Sequence, residues 1–528
     1  MRQVGRVVEE ATPESFIFVS SKDGYPPKYE YVVVRSSELV GGEEREVLVL
    51  CQVTGIASRS SAYTSKLDLD ALERVHAAGI DDANVLCTAR ALGFMAEEDG
   101  RKVVLMPRRA LFPGNPVYLA PDRLVRVFFS YPQDEGLYVG DLVSRRSVPV
   151  YLSVNGFRRH VAVIAQTGAG KSYTVGVILE ELMRLGATAV VIDPHADYVF
   201  LSRNREMHRH QHSDRVVVFR NPSSSGRYDP RQLDNVVELT VRFSELSPEA
   251  IAEIAEIPEG WVNIRKAIRS AVEKLREKGD YGLEDLLEEL KRRSNQGGRE
   301  GQYAERAYNH LLKLRRFKVF GGATTPVDGM ILRPGQVSVL DLSGLNDASQ
   351  DYIVSWVLEE VFRLRSTGQF EWPVFVVVEE AHRFVPAKEQ ERRTMSSSII
   401  RTIAAEGRKF GVFLILVTQR PSSIDADALS QCNSQIILRI TNPYDQRAVA
   451  KASERLGAEL MQDLPGLNVG EAVVVGELTR VPVIVKVRRR LTREGGADID
   501  LVEELRKARE ELQLAPRTYS AESLFSEV

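Results

Sequence analysis

Eight consecutive residues, Ala165-Gln166-Thr167-Gly168-Ala169-Gly170-Lys171-Ser172, carry the strongest chemical signal in the chain. They follow the phosphate-loop pattern G-x-x-x-x-G-K-[ST], with Ala165 in the place of the first glycine. Gly168 and Gly170 can take backbone conformations closed to other residues, so consecutive N–H groups turn inward on a β-phosphate. A helix opening near Lys171 adds its positive dipole end. The Lys171 ammonium is then placed to bridge the β- and γ-phosphates of ATP, and the Ser172 hydroxyl to ligate Mg²⁺. The expected nucleotide-binding run is Gln166, Thr167, Gly168, Ala169, Gly170, Lys171, Ser172 and Tyr173. The departure at Ala165 bears on the fine geometry of the turn.

A second signal is Pro373-Val374-Phe375-Val376-Val377-Val378-Glu379-Glu380-Ala381-His382, five apolar residues ending in two carboxylates. At the end of a central strand, one carboxylate holds Mg²⁺ through water and the next polarises the attacking water. Glu379 is assigned to the metal and Glu380 to the water, although the two roles can be shared. Gln419 follows the apolar run Val412–Thr418. There an amide can report on the γ-phosphate, or it merely ends a strand. Arg408, in the turn Ala405-Glu406-Gly407-Arg408-Lys409-Phe410-Gly411, reads either as a guanidinium offered to a neighbouring subunit's nucleotide or as a solvated basic turn. Weaker signals remain open. His208, His210 and His212 alternate in a polar stretch and fit a metal contact or a surface loop. Asp193-Pro194-His195-Ala196-Asp197-Tyr198 ends an apolar run and is site-lining, substrate-contacting or only a turn. Residues 291–318 hold nine basic and two acidic side chains, a nucleic-acid surface or a solvated helix face.

The elements that must position these groups divide the 528 residues into five segments. Residues 1–145 alternate short β-branched and aromatic runs (4–9, 15–20, 29–35, 47–54, with 125–130 a later candidate) with glycine and proline breaks. One helix is expected near 67–78. Strands that short and frequent suggest a small barrel or a less regular β-rich module. From 146 to 245 the order strand, glycine loop, helix, strand is a right-handed βαβ crossover. Strand signals vanish in 246–322, a helical insertion that starts at Ser247-Pro248-Glu249, a hydroxyl cap followed by proline. Residues 323–492 resume with runs apolar on both faces, as covered parallel strands require. The tail, 493–528, holds one helix near 499–512. The expected fold is an α/β core with a mostly parallel sheet, a helical insertion and an N-terminal β-barrel.

Composition excludes several classes. With 43% hydrophobic and 27% charged residues the chain is an ordinary globular protein, not a disordered one. A net charge of −3 gives no bulk attraction to nucleic acid, which leaves local patches. Three isolated cysteines fit neither a disulfide framework nor a zinc site. No apolar run reaches the ~18–20 residues of a membrane span, and the N-terminus lacks a signal-peptide stretch. A soluble, cytoplasmic protein without membrane contact is expected.

The Lys171 loop, the VVVEEAH strand, the EGRKFG turn and the TQRPS strand end, in that order, resemble the HerA family of hexameric DNA translocases related to FtsK. The resemblance covers nearly the whole chain, including the barrel and the insertion. It implies a RecA-like ATPase with ATP and Mg²⁺ as cofactors. Lys171, Ser172, Glu379, Glu380 and Gln419 would act as above, with Arg408 as the arginine acting in trans. Arg159 and Lys388 would be further basic residues at the subunit interface. It also implies a ring that moves double-stranded DNA through its pore and partners a NurA-type nuclease in end resection and double-strand break repair. A protein-remodelling ring ATPase and a nucleotide-switched binding module are the rival classes.

Overall fold

The computed structural model describes residues 1–98, 101–388, 394–453, 455–496 and 501–514. Seven antiparallel strands open the chain: β1 (Gln3–Val8), β2 (Ser15–Ser21), β3 (Tyr31–Val40), β4 (Glu43–Arg59), β5 (Asn84–Glu98), β6 (Arg101–Leu105) and β7 (Pro116–Leu119). Their order is β2-β1-β7-β3-β4-β5, and β2 also pairs with β5, so six strands close into a barrel with β6 as a flap on β5. The cause is visible in β2, where Phe16, Phe18 and Ser20 point inward and their neighbours do not. Closure bends the long strands, and β4 slips register against β5 at Leu50/Cys51 and Val53/Gly55, as bulges at a barrel bend do. Gly5 lets two strands approach closely, since a Cβ there would lie 2.4 Å from the Val19 carbonyl oxygen. Helix α1 (Leu69–Ala77), capped by Asp68, lies on the outside between β4 and β5.

The second sheet contains β8 (Gly136–Leu142), β9 (Pro149–Ser153), β10 (Val161–Ile164), β11 (Thr188–Asp193), β12 (Val216–Arg220), β13 (Val236–Glu238), β14 (Val337–Asp341), β15 (Val374–Val378), β16 (Val412–Thr418), β17 (Ser434–Ile437), β18 (Glu471–Val475) and β19 (Val483–Val487). Its order is β13-β12-β14-β11-β15-β16-β10-β17-β18-β19-β8-β9. The strands from β13 to β17 run parallel and the last four continue antiparallel, so the sheet is mixed. The parallel strands β10, β11, β14 and β15 are buried at every position, which is why they read as mostly apolar on both faces.

Two expectations need amendment. Residues 125–130, read as a strand candidate, lie in helix α2 (Asp122–Phe129) and its cap Ser130. The buried Val125, Phe128 and Phe129 recur at i, i+3 and i+4, and Asp122 favours the first turn. Strand β8 lies before the boundary expected at 145, yet it pairs with β19 in the large sheet. Of the remaining helices, α3 (Lys171–Arg184) follows β10. The insertion supplies α4 (Pro248–Ile254), α5 (Val262–Arg276), α6 (Leu283–Ser294) and α7 (Gly298–Leu311). The last continues as a 3₁₀ turn, Leu312–Arg316. The insertion's apolar face shares one buried cluster with Ile164, Ile192, Leu340 and Val376 of the sheet. Helices α8 (Asp347–Ser366) and α9 (Ser396–Phe410) pack together, and α10 (Ala426–Ser430), α11 (Pro443–Ala452), α12 (Ala458–Asp463) and α13 (Leu501–Leu514) complete the chain. Residues beyond 514 in the expected tail lie outside the described residues. Among the described residues no helix is long and apolar enough to cross a membrane.

One arginine joins barrel to core. Arg145 donates to Glu30 Oε1 at 2.7 Å and to Asp122 Oδ1 at 2.9 Å, and its guanidinium also reaches the carbonyls of Ala120 and Tyr31. Beside it the Tyr31 ring meets Phe129 edge-on at 5.6 Å. Asp122 is half exposed and adds little, whereas Glu30 is buried and would be left uncompensated without its partner. Arg145→Ala is therefore expected to cost about 3–5 kcal/mol in chemical denaturation. A loss below about 1 kcal/mol would mean that water replaces the guanidinium.

Candidate active site

The loop after β10 is built by two glycines and pinned at both ends. Gly168 and Gly170 take φ of +76° and +101°, open to glycine and costly for other residues. Ala165 is not in the left-handed region; its N–H donates to the Thr418 carbonyl at 3.2 Å and so extends the pairing of β10 with β16. Alanine therefore fits where the pattern has its first glycine. Gln166 anchors the loop, its Oε1 accepting from Thr441 N at 3.1 Å and Oγ1 at 2.8 Å. Among the described residues, the N–H groups of Gly168, Gly170, Lys171 and Ser172 donate to no protein acceptor. They are the donors that a helix start leaves for an anion.

Strand order brings the acidic pair to this loop. β16 lies between β10 and β15, and all three end at the same pole. Lys171 Nζ donates to Glu379 Oε2 at 2.5 Å and to Glu380 Oε1 at 2.9 Å. Glu379 takes the Tyr198 hydroxyl on its other oxygen. Glu380 Oε2 accepts from Gln419 Nε2 at 3.3 Å and lies 3.4 Å from His382 Nδ1. The Thr167 hydroxyl bonds the Gln419 amide oxygen, so one glutamine touches both the loop and the acidic pair. Glu380 also carries φ 49° and ψ 44°, a left-handed conformation for a non-glycine residue. Such strain persists where the surroundings over-determine it, which is common at reacting centres.

The charges are tuned accordingly. Burial opposes ionisation of Glu380, but the Lys171 charge and hydrogen bond outweigh it and hold the carboxyl below its ordinary range. Burial likewise opposes the Lys171 ammonium, and the two glutamates more than compensate, raising its pKa. Burial and then the Glu379 charge push the Tyr198 phenol well up, so it stays a donor.

The stretch 193–198 proves to line this site. Ser172 Oγ donates to Asp197 Oδ2 at 2.7 Å. Asp193 is fully buried and shapes the turn by accepting from Asp197 N at 3.0 Å and Tyr198 N at 2.9 Å. Burial and then the Asp197 charge raise the Asp193 carboxyl pKa. The contributions of Asp197, Tyr198 and His382 were not singled out individually from sequence. Their signal was position alone, immediately after apolar strand runs. Tyr173 turns elsewhere, its hydroxyl accepting from Arg490 N at 2.7 Å and Arg205 Nη2 at 3.1 Å.

Three other basic residues stand apart from this cluster. Arg408 is exposed near the end of α9, just before β16 begins, whereas Gln419 lies just after β16 ends. Arg408 and Arg159 line one cleft of about 170 Å³ together with Arg158 and Glu477. Arg159 pairs with Glu477 at 3.3 Å, and Arg408 has no ion pair among the described residues. Lys388 pairs with Asp427 at 2.5 Å on the surface and is not among the residues lining that cleft. In the basic stretch 291–318, four of the nine basic side chains are paired within the insertion: Arg292 and Arg293 with Glu289, Lys313 with Glu256 and Arg315 with Glu284. Among the described residues no group of three His, Cys, Asp or Glu side chains could hold a metal, the histidines at 208–212 included.

The donor set suits a nucleotide with magnesium. Among the described residues four N–H groups of the loop have no protein acceptor, and the carboxylates of Glu379, Glu380 and Asp197 outnumber the one lysine. Magnesium keeps most of its waters and needs only a hydroxyl, phosphate oxygens and a nearby carboxylate, which Ser172 and the acidic pair offer. The chain is similar to several known proteins. Residues 137–361 match the model of the HerA helicase central domain, and residues 325–497 that of the HerA-like helicase C-terminal domain. The DNA double-strand break repair helicase HerA of Pyrococcus furiosus is 32% identical, over 92% of this chain and 92% of its own. The protein of the same name from Sulfurisphaera tokodaii is 28% identical, over 91% and 94%. Among solved structures, the plasmid coupling protein TrwB in complex with ADP and Mg²⁺ covers 71% of this chain and 93% of its own at 14% identity and a TM-score of 0.48. The chain belongs to the HerA helicase family and is a helicase-type ATPase.

Proposed function

We propose that this protein is an ATP-dependent DNA translocase of DNA repair, working as a ring of identical subunits, a hexamer, around duplex DNA. Its partner would be a NurA-type nuclease that processes DNA ends. The observation that carries the ATPase part is Lys171 held between Glu379 and Glu380 above an anion-ready loop. Magnesium would neutralise the charge that develops on the phosphates, with Ser172 and Glu379 as its protein contacts. Lys171 draws charge from the β- and γ-phosphates, and Glu380, aimed by Gln419 and His382, accepts a proton from the attacking water. Gln419 reads the γ-phosphate because it already spans Thr167 and Glu380.

The ring follows from the arginines. Arg408 and Gln419 lie at opposite ends of a seven-residue strand, roughly 20 Å apart at about 3.3 Å per residue. A guanidinium cannot cross that distance to its own subunit's phosphate. Facing a neighbour's loop, Arg159 and Arg408 would both reach it. No cutting centre is available in the ATPase cluster, because both glutamates are engaged with Lys171. Resection therefore needs a second protein.

Lys171→Ala is expected to weaken ATP binding, whereas Glu380→Gln should bind ATP and lose turnover by about 100-fold or more. Equilibrium binding and single-turnover assays separate the two, and near-normal turnover in Glu380→Gln would move the base to Glu379.

Arg408→Ala should assemble, bind ATP and hydrolyse slowly. Mixing it with Glu380→Gln subunits should recover activity, since one type of mixed interface then has both groups intact. An active monomer, or no recovery at any ratio, would sink the shared site.

Duplex DNA should stimulate hydrolysis, with binding that weakens steeply as salt rises and depends little on sequence. Stimulation by unfolded protein but not by DNA would favour a protein-remodelling ATPase instead.

A further inference from the structure

We infer that His160 is a positioning residue that couples the Arg159–Arg408 cleft to the strands of its own subunit's nucleotide site. The inference rests on the reading of those arginines as groups supplied to a neighbour. His160 has φ 52° and ψ 157°, a region that is essentially glycine's alone. A histidine persists there only because its contacts hold it, so the side chain does something that glycine would not. The imidazole is buried, at 3% exposure. Its Nδ1 accepts the N–H of Leu414 in β16 at 2.9 Å, which puts the ring proton on Nε2. Burial lowers the imidazole pKa to about 4, so this neutral tautomer is the state at neutral pH.

The covalent neighbours complete the junction. Arg159 precedes His160 and Val161, the first residue of β10, follows it. The His160 N–H donates to the Phe157 carbonyl at 3.0 Å and closes the 3₁₀ turn Val154–Arg159. The Arg159 carbonyl accepts from Asn433 N at 3.1 Å, tying the same turn to the start of β17. Helix α9 lies close because of Gly407, where a Cβ would come within 2.6 Å of the Val412 carbonyl oxygen and 3.6 Å of His160 Cε1. Arg408 is the next residue. One side chain thus sits at the junction of the backbones that carry both arginines with β10, leading to Lys171, and β16, leading to Gln419. A movement of Gln419 or Lys171 at one pole is carried along these strands to the arginines at the other. A histidine that merely filled space would need neither the strained backbone nor the bond from the Leu414 N–H.

The test uses two variants of the full chain. His160→Gly relaxes the backbone and removes the ring, while His160→Gln keeps an oxygen able to accept from the Leu414 N–H. Both are expected to form rings and bind ATP with unchanged Kd. For the glycine variant kcat should fall by up to about 100-fold, the effect of a misplaced group far from the chemistry, with KM little changed. The glutamine variant should recover part of that loss. The deciding measurement mixes each variant with Glu380→Gln subunits, whose arginine face is intact, beside the Arg408→Ala mixture as control. Recovery in both mixtures assigns His160 to the face offered to the neighbour. Recovery with Arg408→Ala but not with the His160 variants would overturn the inference, since His160 would then serve its own site or the fold alone. Recovery in neither would overturn the shared-site reading and this inference with it. If the glycine variant fails to assemble, the glutamine variant carries the same mixing test.

Discussion

An ammonium reaching across a strand organises the phosphate-loop end of this protein. Lys171 follows β10, yet its partners Glu379 and Glu380 follow β15, and β16 runs between them. Neighbouring strands are about 4.8 Å apart, so the lysine bridges roughly 10 Å over the end of β16. That is possible only if the three strands end level and β16 closes in side chains that tolerate charge. Parallel pairing supplies the first condition, since Ile164 pairs with Thr418 and Val378 with Leu416. Thr418 and Gln419 supply the second, because hydroxyl and amide stand where an apolar pair would strip the ions of partners.

Burying this many ionisable groups is costly unless each is matched. The structure matches them in series. Lys171 takes one oxygen from each glutamate, Tyr198 takes the free oxygen of Glu379, and Gln419 takes that of Glu380. Asp193 is satisfied by backbone N–H groups, and those bonds shape the turn that presents Asp197 to Ser172 and Tyr198 to Glu379. The two glutamates therefore differ although they are adjacent. Glu379 is closed in by a lysine and a phenol, while Glu380 sits in a strained backbone among an amide and an imidazole. This asymmetry supports giving the reacting water to Glu380, and it comes from β11, a strand whose end said little in sequence.

What sequence made legible follows from how local each signal is. The phosphate loop, the VVVEE strand and Gln419 were readable because strand, turn and side chain are contiguous, and Val374–Val378 and Val412–Thr418 fall where their apolar runs do. Helix α2 was misread because Val125, Phe128 and Phe129 in a short stretch fit a strand as well as a helix face, and only burial against the core decides. The large sheet's antiparallel edge was hidden for another reason. β8 meets β19 across some 340 residues, and no local pattern reports so distant a pairing. Tyr198 and Asp197 were missed as individuals because their partners come from other strands. Ala165 shows the reverse, a residue suspected from a pattern and explained by one hydrogen bond that needs no glycine.

That antiparallel edge gives the fold its direction. β8 and β9 follow the barrel in sequence, and the turn after β9 delivers Arg159 and His160 to the start of β10. Arg159 and Arg408 thus lie at the pole where β10 and β16 begin, whereas the phosphate loop lies at the far pole, where they end. Rigid parallel strands are poor at bending and good at transmitting displacement along their length, because close-packed interiors compress little. A change at the phosphate end has β10 and β16 as its shortest route to the arginines, and both strands meet at His160. In a ring, the same sheet would then be receptor at one end and effector at the other. Passing a state from subunit to subunit would need no hinge inside the core, only that its strands stay in register.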